Sequence, residues 1–289
     1  MVGFLLVSTT IKESRRIIEA WRSEGLTIGF VPTMGYLHDG HKSLIERARL
    51  ENDKVVVSIF VNPIQFGPNE DLTTYPRDLE RDRQICEAAG VDLIFAPSVT
   101  EMYPEKNLVY IDALILGDRL CGAKREGHFR GVCTVVAKLF NIITPERAYF
   151  GEKDAQQLAI IEQMTKDLNF DVQIVPCPIV REPDGLAMSS RNTYLSTGER
   201  QAALILSKAL SVAKNLINAG ERNAKVIYQK IEEVIKTEAL ARIDYIEIVD
   251  AKLLQPVTII DQPVLVAIAV FIGKTRLIDN FFLREVSSR

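Results

Sequence analysis

No apolar run in this 289-residue chain approaches the roughly twenty residues that a helix needs to cross a bilayer. The first apolar stretch, Gly3-Phe-Leu-Leu-Val7, is too short for a secretory leader core, lacks a basic lead-in and runs into a charged helical pattern over 12–22. A soluble, cytoplasmic protein with no membrane contact is therefore expected. Cysteine pairs are missing as well. Cys86, Cys121, Cys133 and Cys177 form no C-x-x-C unit, which excludes the common zinc and dithiol motifs and leaves reduced, buried thiols as the expectation. Positive charge is not in excess: with a net charge of −3, no global field draws in nucleic acid, and a small anionic substrate held in a local basic pocket fits better. Repeats and low-complexity tracts are also absent. What remains, 47% hydrophobic and 25% charged residues, is ordinary globular composition, and the length exceeds what one core of roughly 250 residues comfortably fills, so two domains are expected.

The first two-thirds alternates two periodicities. Short β-rich runs at 27–32, 55–61 and 92–96, with weaker ones at 147–150 and 171–175, are nearly continuously apolar, as parallel strands covered on both faces must be. Between them lie helical patterns at 41–51, 79–89, 133–143 and 155–168. Alternation of this kind implies βαβ units and an α/β, Rossmann-like, doubly wound parallel sheet over residues 1–183. The pattern changes near Arg181-Glu-Pro-Asp-Gly185. A capping box, Ser196-Thr-Gly-Glu199, opens one long amphipathic helix to Gly220, a second follows at 224–240, and strands are expected at 245–249, 264–270 and 275–279. Residues 184–289 thus read as a smaller C-terminal α+β domain.

In an open α/β sheet, ligands bind beyond the carboxyl ends of the strands, so the strand-to-helix turns carry the chemistry. The first is Val31-Pro-Thr-Met-Gly-Tyr-Leu-His-Asp-Gly-His-Lys-Ser43. It nearly spells a P-loop, but His41 stands where the lysine belongs, with Lys42 and Ser43 displaced by one. Two of the chain's three histidines, His38 and His41, flank Gly40. Zinc would need a third ligand, and none lies near in sequence. A structural histidine pair and a phosphate cradle both remain; in the cradle the helix N-terminus and each imidazole N–H face phosphate oxygens.

Other turns add polar groups. Phe60-Val-Asn-Pro-Ile-Gln-Phe-Gly67 places Asn62 and Gln65 after a strong strand, as loop ties or as groups that orient a substrate. Phe150-Gly-Glu-Lys-Asp-Ala-Gln-Gln157 offers Lys153 to phosphate and Asp154 to ribose or a cation, or else is an N-cap with solvated charges. Met188-Ser-Ser-Arg-Asn192 presents two hydroxyls and a guanidinium suited to phosphate, and Gly127-His-Phe-Arg-Gly131 reads as a further cationic loop.

Together these segments resemble one family. VPTMGYLHDGH is similar to the HIGH-type signature of the nucleotidyltransferase superfamily and MSSRN to its KMSKS-type counterpart. With SIFVNPIQFG, Tyr75-Pro-Arg77, GHFRGV, FGEKDAQQ and Arg276-Leu-Ile-Asp-Asn280, the chain resembles the pantothenate synthetases, or pantoate–β-alanine ligases. Glu126 and Ile64 stand where that family often has proline and methionine, and neither change removes a reacting group.

The resemblance implies ATP-dependent joining of pantoate and β-alanine through a pantoyl adenylate, with magnesium accompanying ATP. It implies a homodimer and a C-terminal lid. It implies an ATP site of Met34, Gly35, Tyr36, Leu37, His38, Asp39, Gly40, His41, Gly151, Glu152, Lys153, Asp154, Val180, Met188, Ser189, Ser190 and Arg191. It makes His41 the catalytic histidine and assigns pantoate to Gln65 and Gln157, with Gln65 also near β-alanine; the charge of a departing pyrophosphate adds His38, Lys153, Ser189, Ser190 and Arg191 to His41 as the catalytic set, and Asn62 and Arg130 are further substrate-binding candidates.

Overall fold

The computed structural model of the protein describes residues 4–68 and 70–285. By contact it divides into two compact units. The first runs through Asp118 and continues over Gly122–Glu152 and Gln157–Pro178; the second holds Arg119–Cys121, Lys153–Gln156 and the chain from Ile179 onward.

In the first unit the chain forms β1 (Leu6–Ser8), α1 (Ile11–Ser23), β2 (Ile28–Thr33), α2 (Asp39–Glu51), β3 (Lys54–Ile59), α3 (Leu79–Ala88), β4 (Leu93–Phe95), α4 (Val99–Met102), α5 (His128–Ile143), β5 (Arg147–Gly151), α6 (Ala155–Asp167, its first two residues grouped with the second unit) and β6 (Gln173–Cys177). The six strands lie in the order β1-β4-β3-β2-β5-β6, every pair parallel. The expected α/β sheet is therefore present. Its central strands carry side chains buried on both faces, as Val55, Val56 and Val57 show. From β2 the chain winds outward through β3 and β4, then returns so that β5 pairs with the other side of β2. The strand order reverses at β2 and β5, which makes their carboxyl ends the topological switch point, where a crevice opens.

The second unit contains α7 (Thr197–Ala202), α8 (Ile205–Asn218), α9 (Ala224–Ile235) and an antiparallel sheet of β7 (Ala241–Asp250), β8 (Val264–Ile272) and β9 (Thr275–Leu283) in that order. Leu206, Ala209, Leu210 and Ala213 of α8 and Ile227, Ile231 and Ile235 of α9 share one core with Val266, Ile268 and Val270 of β8. This is the expected small α+β arrangement.

Three local expectations need correction. The single helix expected from Ser196 to Gly220 is two, broken at Ala203 and Leu204, where bonds from Leu204 N to Gln201 O and Leu206 N to Ala203 O tighten the winding. Ala202, Ala203, Ile205 and Leu206 are all buried, so the apolar face continues across the break even though the regular winding does not. The capping box itself is present, Ser196 Oγ accepting from Glu199 N. The GHFRG segment is not a loop, because α5 starts at His128, with Gly127 at φ 75° serving as its N-cap. Finally, α9 stops at Ile235 rather than near 240.

The cysteines are all unpaired and buried. Burial pushes the Cys86 and Cys133 thiols up to about 12 and the Cys177 thiol up to about 11. They are expected to stay unmodified by an aromatic disulfide reagent in the native protein at pH 8 and to react on unfolding, as absorbance of the released thiolate would show.

Candidate active site

The turn after β2 sits at the switch point and is built by its own backbone. Thr33 Oγ1 donates to Ser58 O at 2.7 Å and accepts from Gly35 N at 3.1 Å, tying the ends of β2 and β3 together. Gly35 (φ 81°) and Tyr36 (φ 51°) are consecutive left-handed residues. A β-carbon on Gly35 would meet Asp82 Oδ2 and Ile59 Cγ2, both at 2.9 Å, so glycine is required there by space as well as by φ.

Asp82, on α3, holds the turn. Its carboxylate accepts from Tyr36 N at 2.8 Å and from Leu37 N at 2.7 Å and is almost completely buried. Burial pushes this carboxyl up, while the two N–H groups and Arg81 pull it back; burial prevails. Sequence reasoning passed over Asp82. The signal was there: it falls on the inward stripe of α3 with Cys86, where an unpartnered acid would be costly. In the Asp82→Asn variant the amide NH₂ faces one of the two N–H groups, so stability is expected to fall by about 1–3 kcal/mol, read by urea unfolding.

His38 and His41 close a capping box at the start of α2. His38 Nδ1 accepts from Gly40 N at 3.1 Å and His41 Nδ1 accepts from His38 N at 3.3 Å. Each ring thus uses Nδ1 as the acceptor, so the proton of the neutral imidazole lies on Nε2, and each ring is a donor there. The rings stack at 4.1 Å between centroids, tilted by 42°. Two oriented N–H donors at a helix N-terminus make an anion-binding arrangement. The structural and phosphate readings of the pair are therefore compatible in chemistry, since Nδ1 of each ring serves the fold and the donor is on the other nitrogen.

The turn after β3 meets this one. Asn62 and Gln65 are both buried; Asn62 Nδ2 donates to Gln65 Oε1 at 3.0 Å and to Gly131 O at 3.1 Å, and Tyr103 Oη donates to Asn62 Oδ1 at 2.8 Å. Gln65 Nε2 donates to Met34 Sδ at 3.2 Å, a weak acceptor that a substrate oxygen can displace. Met34, Asn62 and Gln65 are thus brought together. A β-carbon on Gly131 would lie 2.5 Å from both Gln65 Cα and Ile64 O, so α5 packs directly on the peptide that carries Gln65. Arg130 points elsewhere: its Nε donates to Asp112 Oδ2 at 2.8 Å on an exposed surface. Gly151 ends β5, with Glu152 next, and Gln157 lies half-buried on α6.

The remaining candidates belong to the second unit. Lys153 has a largely buried side chain, 19% exposed, with Nζ 4.0 Å from Asp154 Oδ2, and its carbonyl accepts from Asn280 Nδ2 at 2.8 Å. Met188 N donates to Val180 O at 3.0 Å, which sets the MSSR segment beside the strand-like stretch before it. Ser189 caps the 3-10 turn Ser190–Tyr194, accepting from Arg191 N at 3.3 Å, and Ser190 is buried. Arg181 is gripped by both oxygens of the buried Asp279, at 2.7 and 2.9 Å. Asp279 and Asn280, the end of the Arg276–Asn280 segment, brace Arg181 and Lys153.

A family model described as pantoate-beta-alanine ligase matches residues 6–282. The chain belongs to the pantoate–β-alanine ligase family. It is 61% identical over 272 residues to the pantothenate synthetase of Clostridium acetobutylicum, covering 94% of this chain and 97% of that one. Among solved structures it is similar to the pantothenate synthetase of Thermus thermophilus, with a TM-score of 0.91, 46% identity and coverage of 97% of this chain and 100% of that chain. A second is the pantoate-beta-alanine ligase of Francisella tularensis, solved with beta-gamma ATP and beta-alanine, at TM-score 0.78 and 39% identity over 96% of this chain and 97% of that chain. The family that the turn motifs resemble is the family found, and the architecture of a parallel sheet with a smaller antiparallel one is shared with the ligase structures.

Proposed function

We infer that the chain ligates pantoate and β-alanine using ATP, by way of enzyme-bound pantoyl adenylate, with release of pyrophosphate and then AMP. The family match across residues 6–282 carries this reading. A pantoate carboxylate is already an anion and attacks the α-phosphorus itself, so no serine or cysteine nucleophile is needed from the chain. Departure of pyrophosphate is the demanding event. Two unit charges about 4 Å apart interact by roughly 4 kcal/mol at an effective dielectric near 20, so a few donors and cations aimed at the leaving group govern the rate.

His38, His41, Lys153, Ser189, Ser190 and Arg191 are assigned that task. Met34 to His41, Gly151 to Asp154, Val180 and Met188 to Arg191 are assigned to the nucleotide, and Asn62, Gln65, Gln157 and Arg130 to pantoate and β-alanine. The Nε2–H donors that the Nδ1 contacts of the histidine pair imply, and the weakly engaged Gln65 amide, support the first unit's share. Arg130 must exchange Asp112 for a substrate carboxylate to take part. In the second half-reaction β-alanine must lose a proton before its amine can attack, since it is mostly ammonium at neutral pH.

Magnesium is proposed to arrive with ATP, where it neutralises phosphate charge. This metal commonly takes one or two carboxylates and otherwise phosphate and water oxygens, and Asp154, largely exposed beside Lys153, suits such a role. Among the described residues no group of three or more histidines, cysteines or acids is placed to hold a metal.

The deciding experiment measures pyrophosphate release that requires pantoate, followed by AMP release that requires β-alanine. Pyrophosphate release without pantoate, or AMP release indifferent to β-alanine, overturns the reading. An acyl adenylate also needs shelter from water. The loop 67–76, whose Asn69 lies outside the described residues, and the segment 184–289 are proposed as its cover. Backbone amides of that loop are expected to exchange hydrogen at least several-fold more slowly with ATP and pantoate bound; equal exchange counts against it.

Among the described residues no helix is long and apolar enough to cross a membrane. A cytoplasmic location is proposed, supported by the four unpaired thiols, with no nucleic-acid or membrane partner. A homodimer is proposed as well, supported by the apolar run in which Leu108, Val109, Leu114 and Ile115 are 70% exposed or more.

A further inference from the structure

His128 is a buried imidazole to which the proposed chemistry gives no task. Its two nitrogens are nevertheless both engaged: Nε2 lies 2.9 Å from Arg125 Nη1 and Nδ1 lies 2.8 Å from Gln65 O. A guanidinium only donates and a carbonyl only accepts, so a single tautomer satisfies both contacts, with the lone pair on Nε2 and the proton on Nδ1. Arg125 in turn donates from Nε and Nη2 to the two oxygens of Glu70, each at 2.6 Å, in a two-pronged and largely buried ion pair. Partial burial works to raise the Glu70 carboxyl, but the Arg125 fork outweighs it and holds it below the usual carboxylate range.

The direction of every link is fixed. Glu70 accepts from Arg125, Arg125 donates to His128, and His128 donates to the peptide carbonyl of Gln65. A cation donating to Nε2 polarises the ring and strengthens the Nδ1–H bond at its far side. Gln65 is then held at three points: its carbonyl by His128, its Oε1 by Asn62 and its peptide by the close approach of Gly131. Only the Nε2 end, resting on the Met34 thioether, is left to rearrange around a substrate.

We propose that His128 is a positioning residue for Gln65, and that the Glu70–Arg125 ion pair couples the loop carrying Glu70 to that position. This rests on the proposed role of Gln65 in holding pantoate.

Steady-state kinetics of four variants test it, with KM for pantoate and for ATP measured separately. His128→Leu deletes both bonds and is expected to raise KM for pantoate by about tenfold or more while KM for ATP stays within about twofold. His128→Asn places an amide N–H near the Nδ1 position and is expected to recover most of that loss. Glu70→Gln removes the ionic fork without touching Gln65 and is expected to raise KM for pantoate by about threefold. Equal effects of leucine and asparagine, or a parallel rise in both KM values, overturns the positioning role. Should His128→Leu not fold, Glu70→Gln decides, and an unchanged KM for pantoate overturns the proposal. Gln65→Ala separates the two levels. A silent Gln65→Ala removes the assignment of Gln65 and this proposal with it; a large Gln65→Ala effect beside silent His128 and Glu70 variants overturns this proposal alone.

Discussion

Replacing His41 with alanine is expected to slow single-turnover release of pyrophosphate by about a hundredfold or more. The imidazole has two separable tasks. Through Nδ1 it accepts the His38 N–H and completes the cap of α2; through Nε2–H it is proposed to donate to departing phosphate oxygens. Alanine removes both; His38 remains as N-cap, and loss of the reciprocal bond of the capping box is expected to cost about 0.5–1.5 kcal/mol of stability. His41→Asn tells them apart, because its Oδ1 can stand in for Nδ1 while nothing replaces Nε2–H. The expected outcome is a variant about as slow as alanine but melting closer to the parent. A rate within a fewfold of the parent for either variant would remove His41 from the chemistry.

Lys153→Ala should bring a loss of similar size, about a hundredfold, confined to the first half-reaction. The lysine is held by its backbone: Asn280 Nδ2 donates to its carbonyl, and this bond survives truncation of the side chain. What alanine removes is the ammonium, which in a largely buried setting is worth more to a multiply charged leaving group than it would be in water. Starting instead from preformed pantoyl adenylate and β-alanine, the variant is expected to run within a fewfold of the parent. If both half-reactions slow alike, the lysine does not act on pyrophosphate departure. Arginine is a poor substitute at this position, since its planar fork and longer reach aim differently from a compact ammonium.

Much of the fold could be read directly. The central strands β2 and β3 announce themselves as β-rich runs because both their faces are buried, and burial on two sides leaves no polar alternation to confuse with a loop. β1 was missed for the opposite reason: it has three residues, and Leu6 and Val7 are both more than 40% exposed, so it pairs with β4 by backbone alone. The start of α5 was hidden by Gly127 and Gly131, residues that signal a turn in a sequence but here open a helix and let it approach the Gln65 peptide. At the site, residues with exposed or oriented donors were legible because turn chemistry gathers them in short segments. Asp82 and Asn280 were not, since each acts on a segment far away along the chain, and nothing local in α3 or β9 distinguishes a bracing group from an ordinary polar one.

The flanks of the parallel sheet have a bearing on solubility. One outer strand, β6, contains Pro176, which has no amide hydrogen to offer a newcomer, and the other, β1, spans only Leu6–Ser8. Neither flank gives a foreign strand much ladder to extend, so this sheet is guarded against growing into stacked fibrils.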